Sequence, residues 1–341
     1  MAYGRQNLWG IVLAGGEGTR TRDFLTRLCG GRGIKQFCAV IGRRSMLQHT
    51  LARVEQLIPR ERVLVVVSPE HREEVNQQLQ HWPLNNIIFQ PLNRETAPGI
   101  LLPLAHVSQR DPFATVAIFP ADHFILDEDC FMETVDTAVT EVRRFVREVV
   151  LLGAAPTGAD DGYGWIEPGT KDPGRDTRAV RCFWEKPETH KAYGLLKQGA
   201  VWNTFVCVAE ATALWRLTRQ AAPDLERDFA LIRHLLPTKH AAFITKRVYQ
   251  MIEPVNFSSA ICQILPSRLR VLAMPDVGWS DWGSPERICK TLQQMGRVEE
   301  CLQRLQQGNE AAMLPFLPKP SSHHASAGFY AAPATQQRPI P

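Results

Sequence analysis

Short apolar runs alternate with segments of helical apolar spacing along the first 125 residues of the chain. The run Val63–Val67 is continuous and β-branched, as in a parallel strand that is covered on both faces. The segments between such runs repeat their apolar residues at the spacing of one helix face. This alternation predicts a parallel α/β sheet. The predicted strands are Leu8–Leu13, Val63–Val67, Ile87–Phe89 and Val116–Phe119, and the predicted helices are Met46–Leu57, Pro69–Leu79 and Ala97–Gln109.

Predicted strands and helices continue through the second half of the chain, which also contains one turn-rich segment and a polar tail. Gly158–Gly174 is predicted as a loop, and the tail from about Leu317 is rich in Pro, Ser, Ala and Gln, which predicts disorder. The remaining predicted elements are the strands Val149–Gly153, Val180–Trp184, Val201–Val208 and Leu269–Met274, and the helices Glu128–Val146, Leu214–Leu236 and Arg287–Gln307.

A glycine-rich turn follows the first predicted strand. The segment L-A-G-G-E-G-T-R contains Gly15, Gly16 and Gly18, which let the backbone turn tightly and approach a ligand closely. Bare N–H groups beside fixed cations suit a polyphosphate, and the candidate cations are Arg20 and Lys35. The order G-G-x-G-x-R lacks the third glycine of a dinucleotide-binding turn, and no Walker phosphate loop is present. A glycine-rich turn after a core strand, without a ligand, remains the alternative.

The composition indicates which binding partners and which cellular compartment to expect. The net charge is +4 without a block of Lys and Arg, so we expect no nucleic acid partner. No stretch approaches 18 apolar residues, so we expect no membrane span. The eight cysteines include no C-x-x-C pair, and most lie in apolar surroundings. They are interpreted as reduced structural thiols, and the expected location is the cytoplasm.

Two aspartates follow predicted strands and are candidate metal ligands. Asp122 stands in F-P-A-D-H-F, and Asp281 stands in the glycine-bounded turn W-S-D-W-G. A pair of hard carboxylates can hold Mg²⁺, and ligands of parallel sheets bind at the carboxyl ends of strands. A single loop aspartate is more often a cap or a turn former, so neither residue is decisive alone.

Three further segments allow two interpretations each. Thr96 in N-R-E-T-A-P is either a helix N-cap, with Pro98 in the first turn, or a residue that helps to hold a nucleobase. Lys186 ends a predicted strand and is either solvated or a cation of a site. Trp202 and Asn203 are either core and turn residues or part of a site. The residue types alone leave these choices open.

No nucleophilic triad is recognisable in the sequence, and this pattern favours one reaction class. A phosphate monoester carries about −1.5 to −2 charge near neutral pH and needs no general base to act as a nucleophile. Phosphoryl or nucleotidyl transfer rests instead on positioning and charge neutralisation. A glycine turn, cations and two aspartates suit that chemistry.

Taken together, these segments resemble the sugar-1-phosphate nucleotidylyltransferase family, most closely its mannose-1-phosphate guanylyltransferase branch. The similarity covers roughly residues 8–290, and the segments follow the order of the family. The matching segments are L-A-G-G-E-G-T-R (13–20), K-Q-F (35–37), Q-P-L-N-R-E-T-A-P (90–98), F-P-A-D-H-F (119–124), G-Y-G-W-I-E (162–167), F-W-E-K-P (183–187), V-W-N-T-F (201–205) and G-W-S-D-W-G (278–283).

The resemblance implies a Rossmann-like nucleotidyltransferase fold, with a mixed, mostly parallel sheet flanked by helices. The implied domain covers 1–316, with a nucleotide-binding part at about 1–125, a sugar-phosphate-binding part at about 126–290 and a closing helix at about 287–307. The tail 317–341 follows.

The resemblance also implies a reaction and the residues that carry it. The implied reaction converts GTP and mannose 1-phosphate into GDP-mannose and pyrophosphate with Mg²⁺, and a homodimer is compatible with the resemblance. The implied roles are triphosphate binding by Gly15, Gly16, Gly18, Thr19 and Arg20, with Arg20 on the leaving pyrophosphate; α-phosphate neutralisation by Lys35; base binding by Gln90, Thr96 and Ala97; Mg²⁺ binding by Asp122 and Asp281; and sugar-phosphate binding by Gly164, Glu185, Lys186 and Asn203.

The chain departs from the family pattern at several positions. The family usually has L-x-P-L-T after the arginine, whereas this chain has Thr21 and Asp23 at the Leu and Pro positions. The residue before the signature lysine is usually Pro and is Ile34 here. The late N-F-S segment usually continues through an Asp, and here Ser259 and Ala260 follow it. Loss of proline would loosen the glycine loop.

Three alternatives therefore accompany the guanylyltransferase interpretation. The first is a regulatory protein that binds a sugar nucleotide on the same fold without turnover. The second is an enzyme of this kind for another pair of sugar 1-phosphate and nucleoside triphosphate. The third is a nicotinamide dehydrogenase, which the missing third glycine disfavours.

Overall fold

The computed structural model describes residues 7–299, which form one nine-stranded mixed sheet with helices on both faces. The strand order is β3-β2-β1-β4-β8-β5-β9-β7-β6, and β8 also pairs with β6. The strands are β1 (Leu8–Leu13), β2 (Val63–Val67), β3 (Ile87–Phe89), β4 (Thr115–Pro120), β5 (Val149–Ala154), β6 (Gly164–Lys171), β7 (Arg178–Glu185), β8 (Val201–Glu210) and β9 (Leu269–Ala273). The helices are α1 (Arg22–Cys29), α2 (Met46–Glu55), α3 (Arg72–Gln78), α4 (Thr96–Arg110), α5 (Glu128–Arg144), α6 (Thr189–Lys197), α7 (Ala211–Ala221), α8 (Pro223–Leu235), α9 (Ala241–Met251) and α10 (Pro285–Gln294).

The first four strands are parallel and define where a ligand can bind. β1 pairs with β2 on one side and with β4 on the other, and β3 extends the sheet beyond β2. Every residue of β2 and β4 is buried, which explains why these strands read as continuous apolar runs. Because the strand order reverses at β1, a crevice opens outside its carboxyl end, where open α/β sheets bind ligands.

The second half of the sheet is mostly antiparallel. β8 runs antiparallel to β4, β5 and β6, whereas β5 and β9 are parallel. The predicted α/β class with a mixed sheet is confirmed. The predicted loop Gly158–Gly174 is wrong in its second half, because Gly164–Lys171 forms β6 in a hairpin with β7. The strand shifts register beside Pro168, and the proline and glycines of this segment concealed its strand character.

The helical predictions of the second half also need correction. The segment predicted as one helix over Leu214–Leu236 is two helices, because Pro223 lacks the N–H that would continue α7. α6 and α9 were not predicted. α10 ends at Gln294, ahead of Gly296 with φ +66°, and not at Gln307. The remainder of the predicted closing helix, Cys301 and the tail from Leu317 lie outside the described residues.

Apolar residues pack on both faces of the sheet, and a third cluster lies at its edge. In this third cluster Phe24 and Leu25 of α1 pack with Trp282, and with Ile288 and Leu292 of α10. Trp282 is fully buried, its ring stacks on Phe124 with centroids 5.0 Å apart, and its indole N–H donates to Thr291. This cluster fixes the start of α10 against the loop that contains Asp281.

Three observations bear on the expectations about composition. Between residues 7 and 299 every helix is too short or too polar to cross a lipid bilayer. None of the seven cysteines of this range forms a disulfide bond. Four of them, at 38, 207, 262 and 289, are buried, in line with structural roles.

His106 on α4 is expected to make the protein less stable at low pH. Burial, and secondarily the neighbouring Arg110, lower the pKa of His106 from 6.5 to about 4. Between these values the unfolded chain binds a proton that the folded chain does not, so the free energy of unfolding falls as the pH falls through this window. His106→Gln should remove up to about 3 kcal/mol of this loss at pH 4.

Urea unfolding at pH 7 and pH 4 measures this effect. The matched control is His190→Gln, since His190 is 80% exposed on α6. The same pH dependence in the His106 variant and the unmodified protein would contradict the assignment.

Candidate active site

A cleft of about 580 Å³ opens at the carboxyl ends of β1, β3 and β4. This volume lies in the range of small-molecule sites. The cleft brings together residues from the whole length of the domain. The predicted site residues that line it are Gly15, Gly16, Gly18, Thr19, Arg20, Lys35, Gln90, Thr96, Asp122, Gly164, Glu185, Lys186, Asn203 and Asp281.

Ala97 is the exception among the predicted site residues. It is fully buried beneath the cleft, and its N–H donates to the carbonyl oxygen of Val255. Ala97 therefore cannot offer its N–H to a base, and the expectation for this residue is corrected. Thr96 lines the cleft but is not the helix N-cap, because Glu95 occupies that position. The Thr96 hydroxyl instead accepts the N–H of Phe257.

The glycine turn after β1 is held by two buried polar side chains. The Gln36 amide donates to the carbonyl oxygens of Ala14 and Gly16, both at 2.8 Å. The Ser68 hydroxyl, after β2, donates to the carbonyl oxygen of Gly15 at 3.1 Å. These bonds use carbonyl groups of the turn and leave the Gly16 side of the loop open to the cleft. Gln36 stands in the K-Q-F segment, but its role was not predicted.

A glycine loop between α1 and Lys35 gives a matched test of how this lysine is positioned. Gly31 and Gly33 have φ of +67° and +62°, a region that disfavours other residues. A Cβ at Gly31 would meet open space, whereas one at Gly33 would lie 2.4 Å from the Arg22 carbonyl oxygen and 2.8 Å from the Thr26 nitrogen. Gly31→Ala should cost about 1–2 kcal/mol of stability from backbone conformation alone. Gly33→Ala should cost at least about 3 kcal/mol, because overlap with backbone is added.

Chemical unfolding of the two variants at pH 7.5 measures this difference. Equal losses of stability would mean that the segment before Lys35 is not packed against α1 as described.

The two predicted metal-binding aspartates lie in loops that are joined by a two-residue bridge. Phe124 and Ser280 exchange backbone hydrogen bonds of 2.9 and 3.0 Å, which brings the loop after β4 beside the loop after β9. The Lys35 ammonium group connects the same two loops. It donates to Oδ2 of Asp122 at 3.0 Å and to the backbone carbonyl oxygen of Asp281. Lys35 is 4% exposed, so this charge is fixed in place.

Both aspartates are held in the ionised form by cations. Burial alone would raise the pKa of Asp122, but Lys35 outweighs it and keeps that pKa below its usual range. Burial likewise opposes ionisation of Asp281, but Arg287, together with Lys35 and the N–H of Gly283, keeps that pKa below its usual range. Burial also lowers the pKa of His123 to about 4, so His123 is neutral beside these charges. The centre of the cleft is therefore a cluster of permanent opposite charges.

The two aspartates differ in how well they can bind a magnesium ion. Lys35 bonds to Oδ2 of Asp122, which leaves Oδ1 for a metal. The Asp281 carboxylate accepts bonds from Tyr163, from the N–H of Gly283 and, on both oxygens, from Arg287. Asp122 fits an ion that also binds to substrate phosphates, and Asp281 is already neutralised. Arg287 and Tyr163 were not predicted as site residues. Tyr163 stands in the matching segment G-Y-G-W-I-E, whereas no motif in the sequence pointed to Arg287.

The predicted sugar-side residues face the same space from β6, β7 and β8. A Cβ at Gly164 would lie 3.0 Å from the Glu185 carboxylate and 3.3 Å from Asn203, so glycine allows these side chains to approach the strand. The Lys186 ammonium lies 3.8 Å from Glu185 and is 54% exposed. Burial, opposed by Lys186, raises the pKa of Glu185 above its ordinary value. These residues offer hydrogen-bonding groups and one exposed cation to the cleft.

Residues with strained backbone conformations line the cleft. Between residues 7 and 299, four residues other than glycine have positive φ, namely Glu95, Lys186, Phe205 and Trp282, with values from +45° to +67°. All four line the cleft. Such conformations cost about 1–3 kcal/mol each and persist where the surrounding structure imposes them. Their concentration here supports the assignment of the cleft as the functional site.

The bottom of the cleft contains a buried acceptor without a partner. Oε1 of Gln90 is buried and receives no hydrogen bond from the described residues. Gln90 is 3% exposed at the end of β3 and lies against Gly15, where a Cβ would come within 2.5 Å of its amide nitrogen. An unsatisfied buried acceptor that lines a cleft is a candidate ligand contact.

Comparison with known proteins gives concordant results. Residues 9–297 match the family model described as "Nucleotidyl transferase". A mannose-1-phosphate guanylyltransferase of Sinorhizobium fredii is 30% identical over 83% of this chain and 54% of its own length. The mannose-1-phosphate guanylyltransferase RfbM of Salmonella typhimurium is 31% identical over 80% of this chain and 56% of its own. The chain thus spans about half the length of the curated relatives it matches.

A solved structure from Thermus thermophilus, described as a mannose-1-phosphate geranyltransferase, has a TM-score of 0.73 and 24% identity over 85% of this chain and 80% of its own. At this identity the likeness shows the fold alone. The resemblance to the sugar-1-phosphate nucleotidylyltransferases is confirmed. The chain belongs to the nucleotidyl transferase family.

Proposed function

We propose that this protein transfers GMP from GTP to mannose 1-phosphate and releases pyrophosphate. A phosphate oxygen of the sugar phosphate forms a bond to the α-phosphorus of GTP, the bond to the β-phosphate oxygen breaks, and its electron pair leaves with pyrophosphate. The names of the relatives support this reaction. The layout of the cleft supports it as well, because the glycine turn (Gly15–Arg20) forms one wall and the predicted sugar-side residues form another.

The observation that carries the proposal is the position of Lys35 between the two walls. Its buried ammonium group is held by the Asp122 carboxylate and the Asp281 carbonyl, at the junction of the glycine turn and the sugar side. A fixed cation in this place stabilises negative charge that develops on a transferring phosphate, and such contacts contribute about 2.7–4 kcal/mol. Arg20, exposed on the glycine turn, is assigned to the leaving pyrophosphate.

The choice of guanine rests on the mannose-1-phosphate guanylyltransferases among the relatives. Gln90 is assigned to the base, because it lines the cleft and its Oε1 has no hydrogen-bond partner among the described residues. Thr96 lines the same end of the cleft and is the second residue assigned to the base.

The sugar 1-phosphate is assigned to the opposite wall. The Glu185 carboxylate can accept hydrogen bonds from sugar hydroxyl groups, the Asn203 amide can donate or accept them, and Gly164 leaves room for a sugar ring. Lys186, which is exposed at the mouth of the cleft, is assigned to the phosphate. A point cation on a flexible stem suits a phosphate that must move toward the nucleotide.

Mg²⁺ is proposed as the cofactor, held by Asp122 and nucleotide phosphates. When bound, the ion neutralises charge on the triphosphate. Asp281 is retained as a second metal-binding residue only where Arg287 moves away from it, since its carboxylate is otherwise engaged. A homodimer and a cytoplasmic location remain proposals that follow from the family resemblance and from the composition.

A matrix of substrates tests the proposal. Pyrophosphate release is measured with Mg²⁺ for GTP, ATP, UTP and dTTP, each with mannose 1-phosphate and with glucose 1-phosphate. We expect release with GTP and mannose 1-phosphate and at least about tenfold less with the other pairs. Release with a different pair would retain the reaction and overturn the substrate assignment.

The regulatory alternative predicts a different result in the same experiment. Folded protein would bind GDP-mannose but release no pyrophosphate in any combination. In that case the departures at Thr21, Asp23 and Ile34 become the first positions to restore to the family pattern.

A further inference from the structure

The guanidinium group of Arg287 lies in a site of its own beside the cleft. Nη1 donates to both carboxylate oxygens of Asp281 at 2.9 Å, and Nη2 donates to Oδ1 of Asp160 at 2.6 Å. The Tyr163 ring covers one face of the guanidinium, with its centroid 3.9 Å away. Arg287 is only 17% exposed, and Asp281 16%. Charge, hydrogen bonds and packing therefore fix the same group.

Two glycines make room for this guanidinium. A Cβ at Gly162 would lie 2.7 Å from Nη2, and one at Gly283 would lie 2.9 Å from Nη1. Arg287 itself stands in the first turn of α10, which the cluster around Trp282 holds in place. An arginine that only extended from the surface would need neither gap. The local chain is shaped to accept it.

This arrangement changes what Asp281 can do. Its carboxylate accepts bonds from Tyr163, Gly283 and Arg287, and the positive charge lies next to both oxygens. A divalent cation at this carboxylate would meet a fixed like charge at short range. Asp122 keeps one carboxylate oxygen free of Lys35, so the two aspartates are not equivalent ligands.

We propose that Arg287 is a resident counter-ion of Asp281 that prevents the nucleotide-free protein from holding a divalent ion on the Asp122–Asp281 pair. The ion then arrives with the triphosphate and binds through Asp122 and the phosphates. This inference rests on the proposed use of Mg²⁺ at Asp122, but its test does not require turnover.

The test measures binding of Mn²⁺ to nucleotide-free protein, from the free-ion signal in electron paramagnetic resonance. Arg287→Gln removes the charge and keeps a hydrogen-bonding side chain. It should bind Mn²⁺ at least about tenfold more tightly than the unmodified protein. Arg287→Lys keeps the charge and should remain within about threefold of it.

Two further variants show which residue is responsible for any gain in Mn²⁺ affinity. Arg268→Gln removes an exposed positive charge at the opposite end of β9 and should leave Mn²⁺ affinity unchanged, which excludes a general effect of net charge. Asp281→Asn added to Arg287→Gln should abolish the gain. Arg287→Met, which keeps the apolar stem over Tyr163, replaces Arg287→Gln if the latter does not fold.

Equal Mn²⁺ affinity of the neutral Arg287 variants and the unmodified protein would overturn the inference. A gain that persists with Asp281→Asn would overturn it as well. Failure of the proposed function shows separately, as absent pyrophosphate release, and leaves the comparison of Mn²⁺ affinities intact.

Discussion

Asp122→Asn is expected to lower the rate of pyrophosphate release by about 10³-fold. Asparagine keeps the size of the side chain but removes the negative charge that holds the Lys35 ammonium group at 3.0 Å and that is assigned to Mg²⁺ binding. The Asp122 side chain is 34% exposed, so the neutral residue can hydrate and the fold should persist. The loss should appear in kcat, because the charge acts on the reacting phosphates.

Steady-state kinetics and thermal unfolding of the same preparations separate these effects. Asp129→Asn is the matched control, since Asp129 is exposed on α5 and bonds to Gln56 outside the cleft. It should retain full activity. An Asp122→Asn variant with more than about a tenth of the normal rate would show that neither the ion pair nor the metal assignment contributes as proposed.

Lys35→Met is expected to lower kcat by about 10² to 10³-fold. Methionine fills a similar volume in a position that is almost fully buried, but it cannot neutralise charge at the α-phosphate. Lys35→Arg should be impaired as well, since the larger planar guanidinium does not fit a space formed for an ammonium group between Asp122 and the Asp281 carbonyl.

The division between kcat and KM makes this prediction specific. A transition-state contact lowers kcat with little change in the KM for GTP, whereas a ground-state contact raises KM. Lys197→Met is the control, because Lys197 is exposed on α6 beside Tyr193. An unchanged kcat with a raised KM for GTP would reassign Lys35 to substrate binding.

The elements that carry Asp122 and the glycine turn were predictable from local sequence. β1 and β4 are covered on both faces, so they appear as unbroken apolar runs, and parallel strands place the residues that follow them at one edge. Lys35 and Asp281 could be named from the family resemblance, because both stand in short segments that match it. The sequence could not show that Phe124 and Ser280 pair and bring the loops together.

Features that depend on tertiary packing were missed for physical reasons. Arg287 is an ordinary helical residue in the sequence, and only the packing of α10 against Trp282 points it at Asp281. β6 was concealed by Pro168, which its hairpin accommodates with a register shift. Ala97 stands in a matching segment, yet the first turn of α4 directs it under the cleft and not into it.

One product analysis tests the central claim most directly. Purified protein is incubated with GTP, mannose 1-phosphate and Mg²⁺, and the nucleotides and phosphates are separated and identified by mass. The proposed function predicts GDP-mannose and pyrophosphate in equal amounts, formed by the unmodified protein and almost absent with Asp122→Asn. Unchanged GTP with folded protein, or release of inorganic phosphate without a sugar nucleotide, would contradict nucleotidyl transfer in this cleft.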